Sequence, residues 1–376
     1  MYTRLVEHFS VLDDPRCAGK VLHRLIDIVV IAVCAVIAGA ESWEDIELYG
    51  KEKADWLSTF LQLQNGIPSH DTFRRLFMIL KPDAVEHCFL EWVASFSSVE
   101  QREVLAIDGK TLRRSFDMGK EQKPFHLLSA FSTGQSMVIG QRKVEGKSNE
   151  ITAIPELLDQ LTLKNTIVTI DAMGCQRAIA EKIIAQGADY ILALKGNQKT
   201  TYEAVQRYCA EHCFGEGSFI RPTVDYVDDS HGRFVRRRAF VCPEACHLQA
   251  LQPWTGLRQV LAVETIRQLD HRTGTQCEIR YFLSSCDDPV EQQIQAIRNH
   301  WNIENRLHWV LDMSFREDEC RIRESNSARA FAILRKIALN LIRLESTTKN
   351  SIRAKRKKAG WSNDYMASIL FGKFRA

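Results

Sequence analysis

The chain of 376 residues carries 50 Lys and Arg against 47 Asp and Glu, and 45% of its residues are hydrophobic. These values are ordinary for a globular protein and exclude a disordered or low-complexity chain, and the length suits two or three folding units. The longest apolar segment, residues 25–40, is short for a bilayer span and contains Asp27. We therefore predict a buried helix there, with no signal peptide and no membrane partner.

Eleven cysteines without the spacing of a disulfide framework favour free thiols in a reducing cytoplasm. Two CxxxC pairs with adjacent histidines come nearest to a metal-binding pattern: Cys209, His212, Cys213, Cys242, Cys246 and His247. Because these gaps differ from the CxxC spacing of common zinc sites, we expect scattered thiols. A structural zinc site at this group is the alternative.

Charge is unevenly distributed along the chain. Residues 321–376 contain 14 Lys and Arg against 3 Asp and Glu, a net charge of +11, which leaves −8 for the rest. A basic segment on a mildly acidic body suits a polyanionic partner, although a solvated basic helix has the same composition. We define residues 346–376 as a basic C-terminal tail and predict that it contacts phosphates through Arg353, Lys355, Arg356, Lys357 and Lys358.

Residues 1–98 have an all-helical pattern. Ser42 is predicted as the N-cap of one helix, with acidic residues in the first turn that follows it. Ser69 begins a further helix, which ends at Lys81-Pro82. Such a helical domain suits nucleic-acid binding or plain packing equally well.

Residues 99–200 have the pattern of an α/β core. Strands are predicted over 104–109, 126–132, 136–144, 166–171 and 189–195, with helices over 150–161 and 175–187. Three meandering strands followed by alternating helices and strands predict a mixed sheet with helices packed on it. Strand-like alternation in residues 201–290 indicates a β-rich insertion, and helices resume over 291–345.

Two aspartates, Asp108 and Asp171, each end an apolar strand and are followed by small residues. In open α/β sheets ligands gather at the carboxyl ends of strands, where a side chain leaves the core on a rigid support. The alternative for each is an ordinary turn or helix-capping role.

A third carboxylate lies on a 27-residue helix predicted over 297–323. At 100° per residue Glu304 projects into the apolar arc of that helix, where an isolated charge needs a partner. A salt-bridged Glu at the rim is the commoner case, and Asp312 and residues 317–319 compete with Glu304 from rim positions. Two strand-end aspartates and this glutamate would form a hard-oxygen site for two Mg²⁺ or Mn²⁺ ions, the arrangement used for in-line phosphoryl transfer.

Motifs at 107–110 (IDGK), 169–176 (TIDAMGCQ), 194–198 (LKGNQ) and 300–312 (HWNIENRLHWVLD) resemble the ISAs1 family of bacterial insertion-sequence transposases, which includes the H-repeat-associated proteins. Stretches at 14–16, 38–50 and 68–77 extend the resemblance over nearly the whole chain. The resemblance implies an α/β, ribonuclease-H-like core that cuts and joins DNA with divalent metal, with Asp108, Asp171 and Glu304 as its carboxylate triad. The β-rich segment near 218–285 matches the insertion of IS4-like relatives.

One departure affects the DNA contacts. IS4-like relatives carry Tyr, Arg and Lys around the Glu, where this chain has Ile297, His300 and Leu311. We therefore expect phosphate contacts from His300, His308, Arg306 or Arg298, and from Lys110, Lys195, Asn197 and Gln198, which follow strand ends. Trp309 is placed to stack on an unpaired base, whereas Trp301 is expected in the core.

The predicted function is that of a DNA transposase without ATP, a homodimer assembled on DNA in the cytoplasm at the nucleoid. The alternatives are a decayed, DNA-binding copy and a ribonuclease-H-like nuclease without strand transfer.

Overall fold

The computed structural model describes residues 1–96, 102–116, 123–144, 150–216, 218–228, 234–268 and 275–372. The boundary that we drew between residues 98 and 99 and the last four residues of the C-terminal tail lie outside these ranges.

The N-terminal region is all-helical, as predicted. Its helices are α1 (Tyr2–Phe9), α2 (Leu25–Ala38), α3 (Trp43–Glu52), α4 (Ala54–Leu57), α5 (His70–Ile79) and α6 (Pro82–Ala94). The Ser42 side chain accepts from the Asp45 backbone N–H, and the Asp45 carboxylate accepts from the Ser42 backbone N–H, which completes a capping box. The Ser69 side chain caps α5 by accepting from the Thr72 N–H.

No single helix among the described residues is both long and apolar enough to cross a membrane. The bent pair α2 and α3, at 95° to each other, passes such a test of length and composition. Residues 25–37 of α2 are all buried inside the protein.

One nine-stranded mixed sheet forms the body of the protein, in the order β3-β2-β1-β4-β5-β9-β8-β7-β6. β1 pairs antiparallel with β2 and parallel with β4, and β5 continues parallel to β4. The ribonuclease-H-like mixed sheet predicted from the sequence is therefore confirmed. The strands are β1 (Glu103–Thr111), β2 (His126–Ser132), β3 (Met137–Val144), β4 (Thr166–Ile170), β5 (Asp189–Leu194), β6 (Val224–Asp228), β7 (Phe234–Cys242), β8 (Gln259–Gln268) and β9 (Thr275–Ser284).

The β-rich insertion extends this same sheet. β9 pairs antiparallel with β5, so that Leu192 lies opposite Leu283, and β8, β7 and β6 follow outward in turn. Helices α7 (Glu150–Asp159), α8 (Arg177–Ala185) and α9 (Lys199–Cys209) connect the strands of the core. Because hydrogen bonds run across the junction, side chains on the insertion strands have fixed positions relative to those on β1 and β4.

The prediction of a continuous helix over 297–323 was wrong. The chain forms α10 (Val290–His300), a π-helical turn (Ile303–His308) and α11 (Trp309–Phe315), which ends where Arg316 adopts a left-handed conformation with φ of 50°. A π-helical turn contains more residues than an α-helical turn. The projection at 100° per residue therefore fails from Ile303 onward.

Helix α12 (Ser325–Leu344) joins the two regions of the protein. It packs against α2, α5 and α6 on one side and against β3 on the other. The Asn340 side chain accepts from the Val138 N–H at 3.0 Å and donates to the Val138 carbonyl at 2.8 Å, which fixes α12 on the edge strand. The N-terminal helices and the sheet therefore share one buried helix.

The basic tail is helical and packed, contrary to our expectation for two of its residues. It forms α13 (Ile352–Trp361) and α14 (Asn363–Phe371), and Lys355 and Arg356 are buried. Lys355 pairs with Glu345 at 3.0 Å, and Arg356 donates to the Val36 carbonyl and lies over the Phe315 ring. These two residues hold α13 to the body and cannot reach a phosphate. Arg353 and Lys357 are exposed, and Lys358 lies over the Tyr365 ring.

Candidate active site

The parallel pairing of β1 and β4 places Asp108 and Asp171 at one edge of the sheet. Ile107 and Ile170 form the last registered pair, and each aspartate is the next residue along its strand. Both side chains line one cavity of about 590 Å³. The Asp171 carboxylate also accepts from the Met173 N–H at 3.0 Å, so the capping role that was the alternative is real and coexists with exposure to the cavity.

Glu304 lies on the π-helical turn and lines the same cavity, but it does not face the core. Its side chain is 55% exposed, and the neighbouring Ile303 and Leu307 fill the buried positions instead. The buried His308 connects it to Asp108: its Nδ1 lies 3.1 Å from Glu304 Oε2 and 3.5 Å from Asp108 Oδ2. Ligand atoms of Asp108, Glu304 and His308 all lie within 4.8 Å of one another.

The electrostatics of this group favour a cation. Burial, reinforced by repulsion from Asp171, Glu150 and Glu304, raises the pKa of Asp108 to about 7. Burial also lowers the pKa of His308 to about 4, so its imidazole is neutral at pH 7 and supplies no positive charge. Carboxylate oxygens are suitable ligands for a divalent metal ion, and a neutral imidazole beside them does not repel one, so the residues present fit such an ion.

Lys110 has a different role from the predicted phosphate contact. Its Nζ donates to Asp312 and to Glu317 at 2.9 Å, and it lies 3.5 Å from Asp318. Its side chain is 12% exposed and that of Glu317 is 2% exposed. Because Lys110 is two residues after Asp108 and its partners follow Glu304, this cluster clamps the strand of one carboxylate to the helix of the other. Asp312 and Glu317 were the alternatives to Glu304 as third metal ligand. In the structure their carboxylates pair with Lys110 instead.

Three residues with predicted phosphate contacts follow β5, and one of them, Lys195, lines the same cavity. Asn197 donates to the Ala172 carbonyl at 2.6 Å, and Gln198 donates to the Cys175 carbonyl at 3.0 Å. Both side chains therefore brace the turn that follows Asp171 instead of facing phosphate. Lys195 is exposed and lines the cavity, so it keeps the position that a phosphate contact requires.

Of the helical residues around Glu304, some contact neighbouring elements of the protein and others are exposed to solvent. His300 Nδ1 lies 3.0 Å from the Thr169 hydroxyl, and Arg306 donates to the Ser136 hydroxyl at 2.9 Å. Trp309 is 56% exposed. Trp301 is 52% exposed, so our expectation of a core tryptophan was wrong, because α10 ends at His300 and turns the indole outward.

A second cavity of about 520 Å³, which we name the arginine groove, lies between the insertion strands and α10. It shares Arg280, Phe282, Ile297 and Trp301 with the carboxylate cavity, so the two lie side by side. Asp228, Glu264 and Glu278 offset part of the positive charge of the groove. Its aromatic walls are the half-buried Tyr226 and the exposed Trp301, and its arginines are Arg237, Arg238, Arg267, Arg280 and Arg298.

A buried pair that was not among the predicted site residues lies beside Asp108. His126 Nε2 contacts Glu150, while His126 Nδ1 lies 2.9 Å from the Thr111 hydroxyl. A Cβ at Gly109 would collide with both His126 and Glu150, so only glycine allows the pair to approach the strand. Glu150 occupies the first turn of α7, an ordinary place for an acidic residue, so the sequence carries no signal of its proximity to Asp108.

Comparison with known families identifies the class of protein. Residues 100–341 match the family described as Transposase DDE domain, and residues 6–93 match the family described as DDE_Tnp_1-associated. The chain therefore belongs to the transposase DDE domain family.

Similar proteins carry transposase names. The chain is 42% identical over 375 residues to the "H repeat-associated putative transposase YhhI" of Escherichia coli (strain K12), covering 98% of each chain. It is 41% identical over 370 residues to the "Putative transposase YncI" of Escherichia coli O157:H7, covering 97% of this chain and 94% of the relative. A solved piggyBac transposase synaptic complex with hairpin DNA aligns over 100% of this chain and 78% of its own, at 11% identity and a TM-score of 0.45.

The Lys110 clamp predicts a large stability difference between two cavity-side lysines. Lys110→Ala leaves Glu317 buried without its nearest cation and is expected to lower the free energy of unfolding by about 3–5 kcal/mol. Lys195→Ala, at an exposed site, is the matched control and should change it by less than about 0.5 kcal/mol. Urea denaturation of the two variants measures both effects. Equal, small effects would show that the clamp does not hold the elements together.

The raised pKa of Asp108 predicts a pH-dependent gain in stability on removing its charge. The folded protein disfavours ionised Asp108, so this penalty is absent below pH 4, grows as the pH rises, and is complete above pH 7. Asp108→Asn should therefore stabilise the metal-free protein by about 2–4 kcal/mol at pH 8 and by almost nothing at pH 4. Thermal unfolding in chelator at both pH values, with the exposed Asp13→Asn as control, provides the measurement. A pH-independent gain would contradict the electrostatic cause.

Proposed function

We propose that this protein is a metal-dependent DNA transposase of the ISAs1 type, which cuts the ends of its element and joins them to target DNA. The observation that carries the proposal is one cavity lined by Asp108, Asp171 and Glu304, with Asp108 and Glu304 linked through a neutral His308. Membership of the transposase DDE domain family supports the same conclusion.

The three carboxylates would hold Mg²⁺ or Mn²⁺, as two ions. When bound, such ions activate the attacking oxygen and neutralise charge on the leaving oxygen of a phosphodiester. His308 Nδ1 donates to Glu304 and orients its carboxylate, and the Lys110 clamp keeps β1 and α11 at a fixed separation. Lys195, exposed at the cavity wall, is placed to contact a phosphate oxygen.

The DNA strand leaves the carboxylate cavity through the arginine groove. The groove begins at Trp301 and Arg280, which both cavities share, and its arginines suit successive phosphates. Arg280 lies 5.6 Å from the Trp301 ring, and the exposed indole offers a face for an unpaired base. This path replaces the C-terminal tail as the main phosphate-binding surface. Two protomers, each holding one element end, would form the working assembly at the nucleoid.

Nick mapping tests the proposed chemistry. The purified protein is incubated with Mg²⁺ or Mn²⁺ and a DNA fragment that carries its own gene and flanking sequence. We expect breaks with 3′-hydroxyl ends at the two ends of the element, followed by joining to a second DNA. Asp108→Ala, Asp171→Ala and Glu304→Ala should each reduce cutting by more than about 100-fold, because even outer-shell partners of metal sites cost about 10–100-fold.

Asp312→Asn provides the control for the assignment of the third carboxylate. It removes an acid that contacts Lys110 outside the cavity, while Glu317 and Asp318 still hold the lysine, so cutting should be retained. Cutting that survives Glu304→Ala but is lost in Asp312→Asn would reverse the assignment. Cutting without joining would identify a nuclease, and binding without cutting would identify a decayed DNA-binding protein.

The arginine groove predicts which cations neutralise phosphates. Arg237 and Arg298 flank the Tyr226 ring in the groove, at 5.9 and 5.4 Å. The double variant Arg237→Ala with Arg298→Ala should lower the slope of log affinity against log salt by about 2, because each lost phosphate contact removes about 0.9.

The double variant Arg353→Ala with Lys357→Ala removes the same charge from the exposed face of α13. Its salt slope should equal that of the unmodified protein. Fluorescence anisotropy with a labelled element end, over a range of salt concentrations, measures all three slopes. A reduced slope in the α13 variant alone would restore the tail as the DNA-binding surface.

A further inference from the structure

Three cysteines that the sequence analysis expected to be scattered lie together in the core. Cys209 ends α9, Cys213 lies in the π-helical turn Ala210–Phe214 that follows, and Cys242 ends β7. Their sulfur atoms all lie within 4.8 Å of one another, and the Cys213 and Cys242 sulfurs are 3.4 Å apart. All three residues are buried. We name them the thiol cluster.

We propose that the thiol cluster is a second metal centre, which binds one thiophilic d¹⁰ cation, Zn²⁺ or Cu⁺, through three thiolates. The proposal does not depend on the DNA chemistry of the carboxylate cavity. Zn–S bonds of about 2.3 Å place three sulfurs about 3.8 Å apart around a shared ion, within the range observed here. Sulfur ligands select soft ions of this class over the Mg²⁺ or Mn²⁺ that carboxylates prefer.

The local backbone also favours a ligand role for Cys213. A π-helical turn is rare, and such turns are frequent at functional sites. In this chain it extends α9 immediately after Cys209 and contains Cys213. Bonds from an ion to both cysteines would stabilise the widened turn.

The burial of the cluster dictates its protonation. Three thiolates without a counter-ion in an apolar environment would be strongly unfavourable, so a bound cation is what would allow all three sulfurs to lose their protons. Each Cys–S–H bond that is replaced by a sulfur–metal bond releases one proton to solvent, up to three in all. Among the described residues, no fourth His, Cys, Asp or Glu atom joins the cluster within the same distance, which leaves a three-sulfur ligand set.

The position of the cluster gives the ion a structural role. It would tie α9 to β7, and therefore the core helix to the insertion strands. The same helix carries Tyr202, whose ring lies 5.7 Å from Tyr281 of β9, and both tyrosines line the carboxylate cavity. The ion would thus fix one wall of that cavity without touching its contents.

Metal content and cobalt spectroscopy test the proposal on the full-length protein. Elemental analysis of protein purified under reducing conditions should find one zinc or copper per chain, and a Cu⁺-specific chelator distinguishes the two. Co²⁺ added to the metal-free protein should produce a near-ultraviolet sulfur-to-cobalt band that saturates at one equivalent, with proton release. Carboxylate sites give no such band, so failure here and failure of the proposed transposase are distinguishable.

Matched cysteine variants localise the ion. Cys209→Ser, Cys213→Ser and Cys242→Ser should each weaken Co²⁺ binding by at least about 100-fold, whereas Cys34→Ser, at a buried cysteine in α2, should retain it. Absence of the band in the unmodified protein overturns the proposal whether or not the variants fold. Loss of the band in Cys34→Ser alone would also overturn it. So would a Cys213–Cys242 disulfide that persists in metal-free protein kept in reductant.

Discussion

The ion cluster around Lys110 is the constraint on which the geometry of the site depends. Asp108 belongs to the sheet and Glu304 to a helical segment almost two hundred residues later, so nothing local fixes their separation. Lys110 spans that gap with contacts to Asp312 and Glu317, and Arg335 on α12 adds a second cation 3.9 Å from Glu317. Burial alone would raise the pKa of Glu317, but Lys110, Arg335 and Lys336 together hold it below its ordinary value. The carboxylates of the cavity therefore repel one another, while the ion pairs around Glu317 hold the surrounding elements together.

The part of the site that follows from local rules was predictable from the sequence. Asp108 and Asp171 each follow the last parallel pair of two neighbouring apolar strands, which brings them together, although β1 continues past Asp108 to Thr111. Glu304 lines the cavity, but the position facing the core for which we chose it as third carboxylate was wrong. The π-helical turn, which periodicity does not reveal, points its side chain outward. Glu150, His126 and the arginine groove depend on contacts between distant segments. A single sequence contains no pattern for those contacts.

Charge was the least reliable guide. The excess of cations after residue 321 suggested a surface for a polyanion, yet many of those cations are internal partners. Arg329 pairs with Glu86 at 2.8 Å, Lys336 donates to Ser129 at 3.0 Å, and Lys355 pairs with Glu345. A net charge counts side chains without stating which are already neutralised within the fold. The arginine groove, which we propose as the phosphate-binding surface, lies instead on the insertion. Asp228, Glu264 and Glu278 offset part of its positive charge, so the net charge of that segment does not reveal it.

The shared position of α12 has a consequence for how genes of this kind decay. Its apolar residues contact the N-terminal helices and the sheet at once, and Phe331, for example, packs edge-on against Trp43. A frameshifted or shortened copy that lost the first helices would expose one whole side of α12, and a copy that lost α12 would expose both regions. Such fragments would aggregate or be degraded before they could compete for element ends. Truncation of the gene is therefore expected to silence it without producing an inhibitor of intact copies.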